Sequence, residues 1–474
     1  MEALQRLHNR GSISTGYDID NSLKLESDNT ERVNKASGTI SSAGNRRTFT
    51  ISFWTKRTEI NGVKQYLFEA GNSDSDTDRF TLRFGTADTF DIQSSSTWLI
   101  TNRYFRDTSA WYHFVIKVDT TDSTAANRIK LYVNGVEETS FSTDNRSSIS
   151  QNNDFPVNNT EDHVIGNSQI EGSKYYNGYI ADWIQLDGTA AAPTEFGEFD
   201  EDSGIWKPKN PSGLSFGTNG FWLDFGDSSN LGNDKSGGTD FTLTNVTAAD
   251  QATDTPTNNF CTWIPSWAFY RDSTISEGGT EVAGAAGGWS HAGASMGVTN
   301  GRWYWEWKIT SSDIGFISFS TLEGNLNSNQ LGHDNSVIMG YAAGNLYTWL
   351  SGTQGSNEST GWGTWAVNDI IGIYLDLENS DRRFTLYKNG SAISGSTSFP
   401  VSFPNAMQSD DKPIFPYNVQ YENDGGEWNF GGYTTMTNTK SHTDANGYGN
   451  FVYDSTLSGV EYYALCTKNL AEFG

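Results

Sequence analysis

The sequence predicts an almost wholly β protein built as two tandem β-sandwiches. Aromatic residues make up 14% of the chain and charged residues only 19%, and flat side chains suit the faces of β-sheets. Apolar patterns of helical period are scarce, whereas the 49 glycines and the many Asn, Ser, Thr and Asp residues favour turns. At 474 residues the chain exceeds the size at which a single core stops growing, so two domains are expected.

The strand patterns of the first half follow a short N-terminal arm. Residues 1–20 lack alternation and are interpreted as an arm that is either disordered or attached to a partner subunit. Apolar residues alternate with hydroxyl residues in Thr48–Trp54, which is typical of a half-buried strand. The same alternation in Trp111–Asp119 and Arg128–Val133 predicts two further strands. Asn134 and Gly135 then supply a tight turn, because both tolerate positive φ.

The second half repeats these patterns after an intervening segment. Residues 199–260 are rich in Gly, Asp, Asn, Ser and Pro, with one strand pattern at Gly220–Phe225, and are interpreted as an ordered connector. The stretch Arg302–Ile309 places three tryptophans on one face of a predicted strand. Strand Arg383–Lys388 leads into a turn formed by Asn389 and Gly390. Both Asn-Gly pairs are therefore predicted to be type I′ turns at equivalent positions.

Charge and cysteine content exclude several classes of function. The net charge of -26 argues against duplex DNA or an anionic membrane surface as a partner. No segment holds about 18 consecutive apolar residues, and the charged start does not resemble a signal peptide, so cytoplasmic synthesis is expected. Cys261 and Cys466 make no disulfide framework. Both thiols are expected to be free, buried and close to one another.

Each half resembles a known family. The first, residues 21–198, resembles the laminin-G/concanavalin A-like jelly rolls on Trp111–His113, Arg128–Gly135, Val164–Gly166 and Tyr176–Asp182. The second, residues 261–474, resembles SPRY domains on Gly301–Glu306, Asn368–Asp376, Phe384–Gly390 and Trp428–Gly431. Together with Gly220–Phe225, Asp254–Phe260 and Tyr462–Leu470, this arrangement is similar to structural proteins of marine bacteriophages. The resemblance implies two tandem jelly rolls that bind through their loops.

The search for catalytic residues gives one weak candidate. The six histidines, at 8, 113, 163, 291, 333 and 442, are scattered and lack the spacing of metal ligands. A glycoside hydrolase would need paired carboxylates on a strand. Glu306 is the best candidate, yet it lies where SPRY domains carry a residue of the sheet. We therefore expect no enzymatic activity.

A possible metal site and two groups of aromatic residues remain. Calcium ligands are predicted at Asp224, Asp227, Asn230, Asn233 and Asp234, although Asx turns explain the same oxygens. Ligand-binding side chains of the second half are predicted at His333, Asp334, Tyr341, Tyr347, Trp349, Trp362 and Trp365, unless Tyr347 and Trp349 belong to a core strand. In the first half the candidates are Tyr175 and Tyr176, with Tyr104 and Phe105, and a core position is favoured for all four.

The functional hypothesis is a virion protein, made in the host cytoplasm, that forms part of a tail fibre or surface appendage and recognises a host glycan or protein. Residues 1–20 would attach it to other virion proteins, and a homo-oligomer is expected. One alternative is a head-decoration protein with a purely structural role. A secreted lectin-like adhesin and a glycoside hydrolase are further alternatives.

Overall fold

A computed structural model describes most of the chain, which divides into two compact units at Thr257 and Asn258. The described residues are 16–74, 78–172, 174–265, 273–311, 315–321, 336–340, 345–350, 353–354, 358–359, 365–393, 400–403, 405–422, 424–432, 436, 438–456 and 459–474. Among them there is one α-helix, of seven residues, and a few single 3-10 turns. The predicted all-β fold is confirmed.

The first unit is a sandwich of two sheets. Its strands are β1 (Ser22–Leu25), β2 (Arg32–Lys35), β3 (Thr48–Arg57), β4 (Gln65–Ala70), β5 (Phe80–Phe84), β6 (Thr89–Gln93), β7 (Thr97–Tyr104), β8 (Tyr112–Asp119), β9 (Ile129–Val133), β10 (Val136–Glu137), β11 (Phe141–Asp144), β12 (His163–Ile165), β13 (Gly178–Asp187), β14 (Gly197–Phe199), β15 (Trp206–Pro208), β16 (Phe221–Leu223), β17 (Thr242–Thr244) and β18 (Gln251–Ala252). Short 3-10 turns lie at Ala125–Asn127, Arg146–Ser148, Pro193–Glu195, Pro211–Gly213 and Ala248–Asp250.

The two sheets enclose an aromatic core. Sheet A has the order β10-β9-β8-β3-β13-β1-β18, with β16 also paired to β13, and sheet B has the order β11-β7-β6-β5-β4-β12-β2-β17. Phe53 of sheet A stacks on Trp183 at 4.3 Å between ring centroids. Phe90 of sheet B stacks on Phe114 of sheet A, also at 4.3 Å. The Phe90–Phe114 contact, together with that of Phe68 on Trp183, joins the inner faces of the two sheets, as the alternation along each strand predicts.

The outer face of sheet A is also buried, because parts of residues 196–257 pack over it, including Phe196, Trp206 and Phe216. Trp206 packs with Trp54 in a small apolar cluster, and its Nε1 donates a hydrogen bond to Nδ1 of His113 at 2.9 Å. Burial lowers the pKa of His113 to about 3, so the imidazole is neutral at pH 7. The interpretation of 199–260 as a connector is therefore wrong: β16, β17 and β18 complete the sheets of the first unit.

Buried ion pairs fasten the end of this covering segment. Nζ of Lys56 lies 2.8 Å from Oδ2 of Asp254, and both side chains are almost fully buried. Nε1 of Trp111 donates to the other oxygen of Asp254 at 3.0 Å. Four residues earlier, Oδ1 of Asp250 lies 3.2 Å from Nζ of Lys24, which is also buried. Each charge therefore has a partner in a region from which water is excluded.

The N-terminal boundary also differs from the prediction. Ile19 is buried, and its backbone N–H donates to the hydroxyl of Thr257 at 3.2 Å. The hydroxyl of Tyr17 donates to Asp182 at 3.3 Å. Residues 17–20 thus belong to the first unit rather than to an arm, and residues 1–15 lie outside the described residues.

The second unit is a sandwich of the same kind. Its strands are β19 (Trp263–Ile264), β20 (Thr274–Ser276), β21 (Glu281–Ala283), β22 (Trp289–Ala294), β23 (Arg302–Ile309), β24 (Gly315–Ser320), β25 (Ser336–Gly340), β26 (Asn345–Leu350), β27 (Thr353–Gln354), β28 (Glu358–Ser359), β29 (Ile370–Asp376), β30 (Arg383–Lys388), β31 (Ser391–Ala392), β32 (Val401–Ser402), β33 (Phe415–Tyr421), β34 (Gly425–Asn429), β35 (His442–Thr443), β36 (Asn450–Phe451) and β37 (Tyr463–Ala464). Helix α1 spans Thr467–Phe473, and 3-10 turns lie at Glu277–Gly279 and Asn405–Met407.

Tryptophans dominate the core between the two sheets of this unit. Sheet C has the order β19-β22-β33-β24-β25-β26-β27, with β28 paired to β26. Sheet D has the order β20-β21-β34-β23-β29-β30-β31, with β32 paired to β30 and β37 to β23. The predicted tryptophan face of β23 is confirmed, because Trp303, Trp305 and Trp307 are all buried in the core. Trp307 stacks on Trp428 at 5.6 Å between ring centroids.

The two cysteines lie at the chain ends of the second unit. Both are free and buried, as expected. The backbone N–H of Cys261 donates to the carbonyl of Leu465 at 2.9 Å, and Phe260 pairs with Cys466 across the same bridge. Burial raises the pKa of the Cys466 thiol to about 12, which keeps it protonated at neutral pH.

The two Asn-Gly turns are confirmed and have matching surroundings. All four residues have positive φ, between 48° and 78°, as type I′ turns require. The side-chain oxygen of Asn134 accepts from the backbone of His113, and that of Asn389 accepts from the backbone of Ile370, both at 2.8 Å. An aromatic ring covers each glycine, so an added Cβ would lie 2.3 Å from Trp206 at Gly135 and 2.7 Å from Tyr453 at Gly390.

Replacing either turn glycine with valine is expected to destabilise its unit. A β-branched residue at positive φ costs about 1–2 kcal/mol, and Gly135→Val and Gly390→Val each add a clash with the covering ring. Thermal unfolding should show a lower Tm for both variants. Gly213→Val is the control, because its added side chain meets no atom within 4 Å. An unchanged Tm for the two turn variants would contradict the prediction.

Removing the Lys56 ammonium is expected to destabilise the first unit strongly. Lys56→Met leaves the buried Asp254 carboxylate without its cation, which costs about 3–5 kcal/mol. Urea denaturation measures this loss as a lower midpoint. Arg47→Met is the control, because the Arg47–Asp154 pair is 45% exposed on both sides. A Lys56→Met midpoint equal to that of the control would show that the pair contributes nothing.

Candidate functional site

The strongest candidate site lies on the outer face of sheet B. Strands β5 and β6 form a hairpin whose register places Arg83 opposite Asp91. Leu82 and Phe90, next to these residues along the strands, are buried in the core. Because side chains alternate along a strand, Arg83 and Asp91 point to the other face.

This face contains a cavity of about 360 Å³. It lies within the size range of small-molecule sites, about 300–1,000 Å³. Most of the lining residues are polar, and they come from the residue before β4, from β5 to β7, from the β5–β6 turn and from β11. It comprises Lys64, Arg83, Gly85, Thr86, Ala87, Thr89, Asp91, Ile100, Thr101, Asn102, Tyr104 and Ser142. We call this cavity the sheet B pocket.

Hydrogen bonds hold the charged pair of the sheet B pocket in place. Nε of Arg83 donates to Oδ2 of Asp91 at 3.3 Å, and its Nη1 donates to the Tyr66 hydroxyl at 2.6 Å. The hydroxyl of Thr89 donates to Oδ1 of Asp91 at 2.8 Å. Burial raises the pKa of Asp91, while Thr89 and Arg83 oppose that shift. Gly85 leaves room here, because a Cβ would lie 2.8 Å from Oδ2 of Asp91.

A second layer of charged residues supports this pair. The Tyr66 hydroxyl donates to Oε1 of Glu171 at 2.5 Å, and burial is the main reason why the pKa of Tyr66 rises to about 12. Nη2 of Arg79 lies 3.0 Å from Glu69 and 3.2 Å from Glu171. Burial works to raise the pKa of Glu171, but hydrogen bonds from Tyr66 and Lys64 outweigh it and hold the pKa at about 2. The charged residues beside the pocket therefore form a fixed network of hydrogen bonds and ion pairs.

An exposed tyrosine lies beside these polar groups. The side chain of Tyr104 is 57% exposed, although the sequence favoured a core position. The guanidinium of Arg106 lies 4.5 Å from its ring centroid and pairs with Asp88 at 2.9 Å. Val63, which precedes the pocket residue Lys64, is also exposed. The pocket thus combines an accessible ring with fixed hydrogen-bonding groups.

The other aromatic candidates of the first unit lie elsewhere. Phe105 and Tyr176 are fully buried. The Tyr176 hydroxyl donates to the carbonyl of Lys56 at 3.0 Å and lies 2.6 Å from the Thr55 hydroxyl. The prediction of Tyr176 as a ligand-binding residue is therefore wrong, because its ring offers no surface to a ligand. Tyr175 is half-buried.

Most candidates of the second unit fall where no side chain is described. His333, Asp334, Tyr341 and Trp362 lie outside the described residues, and only the backbone of Tyr347 and Trp349 is described, on β26. These predictions stay predictions. Trp365 is 3% exposed and packs 6.0 Å from Trp307 in the core. Its assignment as a ligand-binding residue is wrong, because the core covers its ring.

The predicted calcium ligands serve mainly as turn formers. Oδ1 of Asp227 accepts hydrogen bonds from the backbone and hydroxyl of Ser229. Oδ2 of Asp224 lies 3.0 Å from Nζ of Lys235, which supplies a positive charge. Asp234 is buried, and it accepts from three neighbouring donors. Within the described ranges, no group of three or more His, Cys, Asp or Glu side chains is placed to hold a metal ion. Calcium binding here stays a prediction.

The surroundings of Glu306 indicate a structural role. Its Oε2 accepts from Asn429 at 2.8 Å and from the backbone of Val452 at 3.0 Å. Its Oε1 accepts from Tyr304 and from the backbone of Tyr453, at 3.0 and 2.8 Å. Burial raises its pKa, and these four donors oppose the shift. The side chain is fully buried, so it fixes the segment that covers sheet D and contacts no solvent.

One family model matches part of the first unit. Residues 28–184, about a third of the chain, match the family described as the concanavalin A-like lectin/glucanases superfamily. No curated protein sequence matches the chain. Among the described residues, no helix is long and apolar enough to span a bilayer. Over residues 28–184 the chain is thus similar to this superfamily.

Parts of the chain are similar to solved structures, with low TM-scores. The chain is 17% identical to the SPRY domain of human HERC1, over 37% of this chain and 99% of that one, with a TM-score of 0.26. It is 15% identical to the PSpry domain of TRIM65, over 36% and 89%, with a TM-score of 0.27. It is 16% identical to the heptameric SAP-like pentraxin of Limulus polyphemus, over 37% and 80%, with a TM-score of 0.26. These scores carry no inference about ligand or partner.

Proposed function

We propose that this chain is a non-enzymatic recognition protein of a bacteriophage virion, which binds a host-surface saccharide through the sheet B pocket. The observation that supports saccharide binding is the exposed ring of Tyr104 beside the fixed polar groups of Arg83 and Asp91. A sugar ring has apolar C–H faces and a rim of hydroxyls. An aromatic face and rigid donors and acceptors suit these two features.

The pocket favours binding over hydrolysis. A glycosidase needs one carboxylic acid that gives up a proton and a second carboxylate free to act as base or nucleophile. Both oxygens of Asp91 accept hydrogen bonds, and Glu171 is held by Tyr66, Arg79 and Lys64. A carboxylate fixed in this way acts as a positioning group for hydroxyls. Hydrolase activity is the less favoured alternative.

Placement in a virion rests on the resemblance of the whole chain to structural proteins of marine phages. In this proposal the chain forms part of a tail fibre or surface appendage, and residues 1–15 attach it to other virion proteins. The net charge of -26 favours solubility and disfavours binding to nucleic acid. A head-decoration protein is the alternative, and it would not require a saccharide site. Homo-oligomerisation and calcium binding at 224–234 are secondary parts of the proposal.

Binding of a saccharide by the isolated full-length protein is the first expected result. A glycan array should give positive signals, and Tyr104→Ala should weaken the tightest interaction about tenfold by removing the stacking surface. Tyr448→Ala is the matched control, because this tyrosine is also exposed and also carries a nearby cation, Lys468. Absence of any array signal, or equal losses in both variants, would refute saccharide binding at this pocket.

The second expected result is that this chain is found on phage particles. Gold-labelled antibody against this chain should mark tail appendages of purified phage particles in electron micrographs. Deletion of residues 1–15 should leave thermal unfolding unchanged and abolish labelling of the particle. Labelling over the head would favour the decoration alternative, and particles that never carry the chain would exclude a virion role.

A further inference from the structure

We infer that the sheet B pocket selects a saccharide that carries a carboxylate, such as a uronic acid, over the equivalent neutral sugar. This inference rests on the proposed saccharide binding and specifies the ligand class. It comes from the hydrogen-bonding capacity that the pocket residues leave unused.

Arg83 supplies the first unused donor. Its Nε and Nη1 donate to Asp91 and Tyr66, whereas Nη2 makes no hydrogen bond to any described residue. The side chain is only 10% exposed, and it lines the pocket. A guanidinium stays charged at all physiological pH values. Nη2 of Arg83 is not one of the buried donors that lack a partner, so it is open to solvent and able to donate to a ligand. An anionic oxygen in the pocket would satisfy this donor.

Lys64, which also lines the pocket, supplies further donors. Its Nζ lies 3.0 Å from Oε2 of Glu171, and its side chain is 35% exposed. An ammonium has three N–H groups, and the structure shows one of them donating, to Glu171. Glu171 pairs with both Lys64 and Arg79, and the Asp91 carboxylate also lines the pocket. The selectivity therefore comes from directed N–H groups and not from a net positive charge.

Two hydroxyl groups of the pocket, those of Thr89 and Ser142, face a ligand mainly as acceptors. The hydroxyl protons of Thr89 and Ser142 are donated to Asp91 and to the carbonyl of Ile100, so their oxygens retain lone pairs. Each oxygen of Asp91 already accepts one hydrogen bond, from Thr89 or Arg83. The pocket therefore pairs charged donors on one side with hydroxyl acceptors on the other. A sugar acid matches this arrangement, with its carboxylate on the donors and its hydroxyls on the acceptors.

A matched pair of ligands isolates the contribution of the carboxylate. Calorimetry on the full-length protein compares trigalacturonate with its methyl ester, which keeps the ring and hydroxyls but loses the charge. The acid should bind at least about tenfold more tightly, because charge-assisted hydrogen bonds are roughly twice as strong as neutral ones. Acidic oligosaccharides should also lead the array signals over their neutral equivalents.

Variants assign this preference to the pocket. Lys64→Gln should reduce the preference for acid over ester several-fold, and Lys130→Gln should not. Lys130 is the control because it also pairs with a glutamate, Glu137, at 3.1 Å on the surface of the same unit. Arg83→Lys keeps the charge but removes the unused Nη2 donor, so it should also reduce the preference. Circular dichroism shows whether each variant is folded.

The outcomes separate this inference from the proposed function. Equal binding of acid and ester, or array signals from neutral sugars alone, would overturn the preference for a carboxylate and leave saccharide binding intact. An unaltered preference in folded Lys64→Gln and Arg83→Lys proteins would also overturn the inference. Absence of binding to every saccharide would overturn both proposals together.

Discussion

The first unit depends on the buried contact between Lys56 and Asp254. Sheet A needs both faces covered, because its outer face carries Trp54, His113 and two buried lysines. The covering segment ends at Asp254, where the ion pair and the Trp111 hydrogen bond fix it. If this contact is lost, the Lys56 ammonium and the apolar outer face of sheet A both become exposed to water.

Local chemistry made part of the fold predictable. The turns at Gly135 and Gly390 follow from residues that tolerate positive φ, and the tryptophan face of β23 follows from strict alternation. The segment 199–257 was mistaken for a connector because its composition is that of a loop. Its strands are three residues long or shorter, as at Phe221–Leu223. Such strands acquire their role only through pairing with distant partners, which composition does not reveal.

The candidate site was harder to predict for the same reason. The alternation in Phe80–Phe84 and Thr89–Gln93 does place Arg83 and Asp91 on the face opposite the core. Their pairing depends on the register of the hairpin, which its loop of four residues does not specify uniquely. Tyr176 was misassigned because the adjacent pair Tyr175 and Tyr176 gives no sign of which ring faces inward. The sequence pattern favoured aromatic residues as ligand-binding groups, whereas the candidate site consists mainly of charged groups on neighbouring strands.

The long separation of Lys56 from Asp254 also affects how the protein is made. The two residues are 198 positions apart, and ribosomes add about 5–20 residues per second. Lys56 is therefore synthesised about 10–40 s before its partner Asp254, and until then the lysine side of sheet A cannot be closed, a state that favours aggregation or binding by chaperones. A fragment that stops at residue 198 would remain in that state permanently. Synthesis rate and chaperone supply are thus expected to affect the yield of the first unit.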